Sequence, residues 1–129
     1  MVMTPPRKQL LLVDEHSLFR RTVAAVAREL NLADVHEASS HEAARQLLHS
    51  RPFDAMMLDI GESLSALAIV QDVRNGGTGS TATLPIALTA ESCDLATITL
   101  FKQMQVRRIM LKPFKVKTVL DVVAELAGR

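Results

Sequence analysis

The chain has 129 residues, the length of one domain with room for a single sizeable core, so residues 1–129 are expected to form one unit, its core about 8–127. With 48% hydrophobic and 22% charged residues it has the composition of an ordinary globular protein rather than a disordered or fibrous chain. Fifteen Lys and Arg face fourteen Asp and Glu, so there is no basic surplus and no direct nucleic-acid binding is expected.

Cys93 is the single cysteine, which rules out a disulfide framework and fits a reducing compartment. The N-terminal stretch MVMTPPRKQ lacks the apolar core of a signal peptide, and no apolar run approaches a membrane span. The expectation is a cytoplasmic protein with no membrane contact.

Gln9–Val13 (QLLLV) is a short apolar run bounded by charge and reads as a strand. Ser17–Leu30 reads as a helix, with Leu18, Val23, Val26, Ala27 and Leu30 on one face, Ser17 as its cap and Asn31 suited to its end. Asp34–Ala38 is a weaker strand. Ser39 and Glu42 have the spacing of a capping box ahead of a helix over Ala43–His49, which Arg51-Pro52 terminates. Phe53–Leu58 is the next strand, and Leu64–Arg74 a helix with Leu64, Leu67, Ala68 and Val70 as its apolar stripe.

Asn75–Thr83 (NGGTGSTAT) has the composition of a flexible surface loop. It is not read as a phosphate cradle, because it lacks the P-loop lysine and follows a helix instead of a strand. Leu84–Leu88 is a strand with Pro85 near its start. A helix capped by Ser92 or Asp94 runs to about Met104, Arg107–Leu111 is a strand, and Lys115–Ala127 is a last helix facing inward through Val116, Val119, Leu120, Val123 and Leu126.

Strand and helix thus alternate five times. That order predicts an α/β fold, a doubly wound parallel sheet in the order 2-1-3-4-5 with helices on both faces. Strands buried on both faces read as unbroken apolar runs, and QLLLV, AMML and RIML do so.

The residues that end these runs carry the chemistry. The first strand ends in Asp14-Glu15, the third in Asp59, the fourth in Thr89 and the fifth in Lys112-Pro113. In a parallel sheet all carboxyl ends share one rim, and the gap between strands one and three is the switch point where such sheets place ligands. Three carboxylates gathered there need a cation, and oxygen ligands suit Mg²⁺. An Asp beside a metal can attack phosphorus and form an aspartyl phosphate, with the metal and a Lys neutralising the phosphoryl oxygens and a Thr hydroxyl bonding the phosphate. Taken singly, each residue also has a plain reading: a solvated strand end, a helix cap for Asp14, or a buried pair between Lys112 and Asp14.

The chain resembles a response-regulator receiver domain of two-component signalling, with the flavodoxin-like fold of the chemotaxis regulator, over roughly Lys8 to Leu126. The motifs that carry the resemblance are "LLLVDEHSLFRR", "DAMMLDI", "LPIALTAES" and "RIMLKPF". It implies Asp59 as phosphoacceptor; Asp14 and Glu15 as Mg²⁺-binding acids, joined by Asp59 itself and the backbone carbonyl of Gly61; Thr89 as switch hydroxyl; and Lys112 as the phosphate-pairing cation, with a cis Lys112-Pro113 bond. It implies a signalling domain rather than a metabolic enzyme. Its partners would be a histidine kinase or histidine phosphotransfer protein and a downstream effector or an output domain missing from this chain.

The sequence departs from the family in three places. Glu15 replaces a second aspartate and is one methylene longer. Gly61-Glu62-Ser63-Leu64-Ser65-Ala66 lacks the usual proline and is one residue shorter. Ile109 stands where many receivers carry an aromatic ring that rotates with the switch hydroxyl. These departures define a second reading, an atypical receiver that binds partners without phosphate. A nucleotide- or flavin-binding enzyme on the same fold would need a phosphate loop, which is absent. His16, His36, His41 and His49 have no ligand spacing and read as surface residues. Cys93 reads as a passive small residue. Lys102, Arg107, Arg108, Lys115 and Lys117 read as a solvated face that an acidic partner could meet.

Overall fold

The structure, a computed structural model, describes residues 6–128. Met1–Pro5 of the N-terminal stretch and Arg129 lie outside the described residues. Five strands alternate with five helices: β1 Gln9–Val13, α1 Ser17–Glu29, β2 Asp34–Ala38, α2 His41–Ser50, β3 Ala55–Asp59, α3 Ser63–Arg74, β4 Ile86–Ala90, α4 Leu95–Gln103, β5 Arg108–Leu111 and α5 Val116–Leu126. All pairings are parallel and the sheet order is β2-β1-β3-β4-β5, as expected.

Alternation along the central strands sorts their side chains into two cores. Leu11, Val13, Met56, Leu58, Ile86 and Leu88 point to the side covered by α2, α3 and α4, where Leu48, Ile69, Val70 and Phe101 meet them. Leu10, Leu12, Ala55, Met57 and Ala87 point to the side covered by α1 and α5, against Val23, Ala27, Val119 and Val123. Among the described residues no helix is long and apolar enough to cross a membrane.

One helix, α1, buries only part of the face expected, and another, α3, buries a shifted one. In α1 only Val23 and Ala27 are buried, while Leu18 and Leu30 stand exposed. In α3 the buried stripe is Ala66, Ile69, Val70 and Val73, and Leu64 is exposed. The spacing i, i+3, i+4, i+7 of that stripe is one helical face. The helix carries apolar residues on other sides too, which is why composition alone chose the wrong face.

The caps also shift. His16 precedes α1 without a side-chain cap bond, so Ser17 lies inside the helix. Ser40, not Ser39, caps α2 by accepting the Ala43 amide, so the Ser39–Glu42 box does not form. Asp94 caps α4 through the Thr97 amide. Asn31 ends α1 as expected, at φ 57°. Its amide donates to the Arg28 carbonyl and that of Leu32 to the Ala27 carbonyl, the paired bonds of a left-handed helix stop.

The segment 75–83 is tied down rather than free. The Gly79 amide donates to the Leu48 carbonyl, and the buried Ser80 hydroxyl accepts the Phe53 amide. A Cβ on Gly79 would stand 3.1 Å from the Arg51 carbonyl carbon and oxygen. Arg74, at the end of α3, donates to the carbonyls of Ala82, Leu84 and Met104 and so joins this segment to the end of α4.

Candidate functional site

Parallel strands bring Asp14, Asp59, Thr89 and Lys112 to the carboxyl rim of the sheet. Asp59 is the last residue of β3 and lies in register with Thr89 on β4. The Thr89 hydroxyl donates to Asp59 Oδ1 at 2.9 Å. Lys112 Nζ stands 3.1 Å from the same oxygen and 3.0 Å from Asp14 Oδ2. Asp59 Oδ2 has no partner among the described residues and faces Gly61.

Asp14 is the buried charged member of the set, its side chain 1% exposed. Oδ1 accepts the His16 amide at 2.8 Å and lies 2.9 Å from the His16 ring, while Oδ2 takes Lys112. Burial alone would push its carboxyl up. The His16 amide, the Lys112 ammonium and the His16 ring outweigh burial and hold it below the ordinary aspartate value. Burial likewise opposes the charge on Lys112, but Asp14 and Asp59 together hold its ammonium above the usual lysine value.

Two open cavities flank Asp59. One of about 230 Å³ is lined by Asp14, Glu15, Ser39, Ser40, His41 and Gly61 with Asp59 and neighbours. The other, about 300 Å³, lies toward Lys112, His16, Ser63 and Ser92 and is also bordered by Glu15. Glu15 is exposed and makes no ion pair among the described residues. Gly61 turns the chain at φ 50°, a conformation glycine adopts without strain, and the Lys112-Pro113 bond is cis.

Asp14, Glu15 and Asp59 all border one cavity at the sheet rim, but Asp14 is taken up by Lys112. No group of three or more His, Cys, Asp or Glu among the described residues is arranged to hold a metal. A buried carboxylate must be paired, and Lys112 pairs Asp14. Glu15, Asp59 and Gly61 line both cavities, and they offer two carboxylates and a backbone carbonyl as oxygen donors. This oxygen-only set fits a Mg²⁺ that keeps several waters and binds one or two carboxylates plus phosphate, not a closed protein cage.

Three contacts lie outside the set anticipated from sequence. The His41 ring bridges the Asp59 carbonyl and the Ser65 hydroxyl at 2.9 and 2.8 Å. It is half-buried and engaged, not a free surface residue. Arg20 donates to the Asp14 carbonyl at 2.7 Å and pairs with Glu37 at 3.3 Å. Glu62 turns back to cap α3 through the amides of Leu64 and Ser65, so its charge is spent on the helix start. Cys93 is half-buried, and burial with neighbouring Asp94 pushes its thiol up, as suits a passive residue.

This arrangement has the architecture of a response-regulator receiver. The structure is similar to a response regulator from Thermotoga maritima, with TM-score 0.77 and 19% identity over 95% of this chain and 99% of that one. It is similar to a chemotaxis protein of Vibrio cholerae, with TM-score 0.77 and 18% identity over 93% and 98%. It is also similar to a response regulator from Burkholderia pseudomallei that carries a phosphorylated aspartic acid and a calcium ion, with TM-score 0.72 and 19% identity over 94% and 69%. No protein-family model and no curated protein matches the sequence. The chain therefore has the receiver-domain fold.

Proposed function

We propose that this protein is a cytoplasmic receiver that accepts a phosphoryl group on Asp59 in a Mg²⁺-dependent reaction and thereby changes its partner binding. The donor is a histidine kinase or histidine phosphotransfer protein, and the recipient of the signal is an effector or an output domain. One observation carries this reading: Asp59 has one oxygen held by Lys112 and Thr89 and the other open to the cavities.

A lone pair on Asp59 Oδ2 attacks the phosphorus of a phosphohistidine. The P–N bond breaks, its electron pair stays on the donor imidazole, and that nitrogen takes a proton from solvent. Asp59 is left as an acyl phosphate. The Lys112 ammonium neutralises charge at the acceptor carboxylate and then on the phosphoryl oxygens, and the Thr89 hydroxyl turns from Asp59 Oδ1 to donate to them. Mg²⁺, when held by Glu15, Asp59 and the Gly61 carbonyl, with Asp14 available only if Lys112 releases it, supplies further neutralisation of phosphoryl charge.

A second reading, a phosphate-independent interaction module, is favoured by the closed state of Asp14. Both its oxygens are already satisfied, and one lysine bridges it to Asp59 without any ligand. Incubation with acetyl phosphate and Mg²⁺ followed by intact-mass measurement separates the two. The gain of one phosphoryl group, absent in Asp59→Ala, supports the first. No gain, even with a competent kinase, overturns the first and favours the second.

A further inference from the structure

The geometry points to His41 as a positioning residue that clamps the Asp59–Gly61 turn, a role that rests on the reading of Asp59 given above. His41 is the first residue of α2, directly after the Ser40 cap. Its ring crosses to the turn between β3 and α3. Nε2 lies 2.9 Å from the Asp59 carbonyl oxygen, and Nδ1 lies 2.8 Å from Ser65 Oγ.

The hydrogen-bond logic fixes the roles. A carbonyl oxygen only accepts, so Nε2 carries the proton. In the neutral ring Nδ1 is then an acceptor, and the Ser65 hydroxyl donates into it. The peptide joining Asp59 to Ile60 is thereby held from both ends: its N–H donates to the Thr89 carbonyl at 2.8 Å, and its C=O accepts from His41. This sets the direction in which the chain enters Gly61. A Cβ on Gly61 would lie 3.8 Å from the ring's Cε1, which places the ring beside the turn.

Ser65 completes the clamp. Its amide is held by Glu62 and its hydroxyl by His41, which joins the start of α2, the tip of β3 and the first turn of α3. The Ile60–Ser63 segment contains no proline to restrain it. His41 supplies that restraint from a different element, through the backbone of the nucleophile itself. A histidine merely solvated at a helix start would touch neither.

The test uses His41→Leu, His41→Gln and Ser65→Ala, each checked for native fold by circular dichroism. The rate of phosphoryl uptake is followed against acetyl phosphate concentration with Mg²⁺ present. Amide resonances of Ile60 and Gly61 are followed by NMR without any phosphodonor. His41→Leu is expected to shift both amides and to lower the ceiling rate about tenfold, with half-saturation by the donor unchanged, because the error is one of placement. His41→Gln, which keeps an N–H donor, restores most of the rate, and Ser65→Ala falls between. In wild type the ring ¹⁵N shifts are expected to show a protonated Nε2 and an acceptor Nδ1, and the opposite tautomer would overturn the bond to Asp59. The inference is overturned if His41→Leu leaves either the rate or the two amides unchanged, or if His41→Gln gives no rescue. If wild type itself takes up no phosphoryl group, the reading of Asp59 fails, and the amides alone decide for or against the clamp.

Discussion

Lys112 Nζ lies 3.0 Å from Asp14 Oδ2, closing an ion pair between residues 98 positions apart in the chain. The same ammonium reaches Asp59, so one side chain sets both the stability of the rim and the charge around Asp59. Lys112→Met is expected to destabilise the fold by about 1–3 kcal/mol, since it strips a buried carboxylate of its cation but leaves the His16 contacts. Urea unfolding measures this; a variant as stable as wild type would show that the pair contributes nothing net.

The pH dependence follows from the same pair. The Asp14 carboxyl is held below its ordinary value, so it contributes stability above that value and loses it as pH falls through the folded-state value. The Lys112 ammonium is held above its ordinary value, so its contribution is full below that value and lost as pH rises through the folded-state one. Stability is therefore flat across neutral pH and declines at both ends. In Lys112→Met the acid decline starts at higher pH, because burial then pushes Asp14 up with less to oppose it. Urea midpoints measured from roughly pH 3 to 6 test the shift.

Thr89→Val removes a hydroxyl from a fully buried site with little change of shape. A loss of about 1 kcal/mol is expected from the missing hydrogen bond to Asp59. Phosphoryl uptake persists, but the amides of β4 beyond the substitution no longer respond to it. NMR of the variant with and without a phosphoryl analogue reads this directly.

Ile109 lies opposite Leu88 in the β4–β5 register and packs partly into the core. An isoleucine has no polar ring to exchange between exposed and buried positions. Amide shifts caused by a phosphoryl analogue should concentrate around the rim and fade across α4 and β5. Shifts of equal size over that whole face would show another coupling at work.

Ser40→Ala removes the cap of α2 and should cost about 1 kcal/mol in thermal or urea unfolding. Ser39→Ala, at the position the sequence spacing favoured, should be close to neutral.

The strands were readable because the central ones are buried on both faces and leave unbroken apolar runs such as AMML. Asp14, Asp59, Thr89 and Lys112 were readable because a parallel sheet must deliver its strand ends to one edge. The faces of α1 and α3 were readable only in part: Val23, Ala27 and Val70 turn inward as expected, but Leu18 and Leu64 are apolar yet exposed, and only the packing partners decide which stripe is buried. His41 was missed for two reasons. Its bonds span 18 and 24 positions, and placing the cap at Ser39 hid its rank as the first residue of α2, beside the tip of β3.

The plug made by Gly79 and Ser80 has a consequence for grafting. Its two bonds end on Leu48 and Phe53, so the connector after α3 is keyed to the exit of α2 and the approach to β3. A chimera that borrows a shorter connector from another protein of this fold would strip two partners from a distant segment, and it should fold well only when residues 48–53 are transplanted with it.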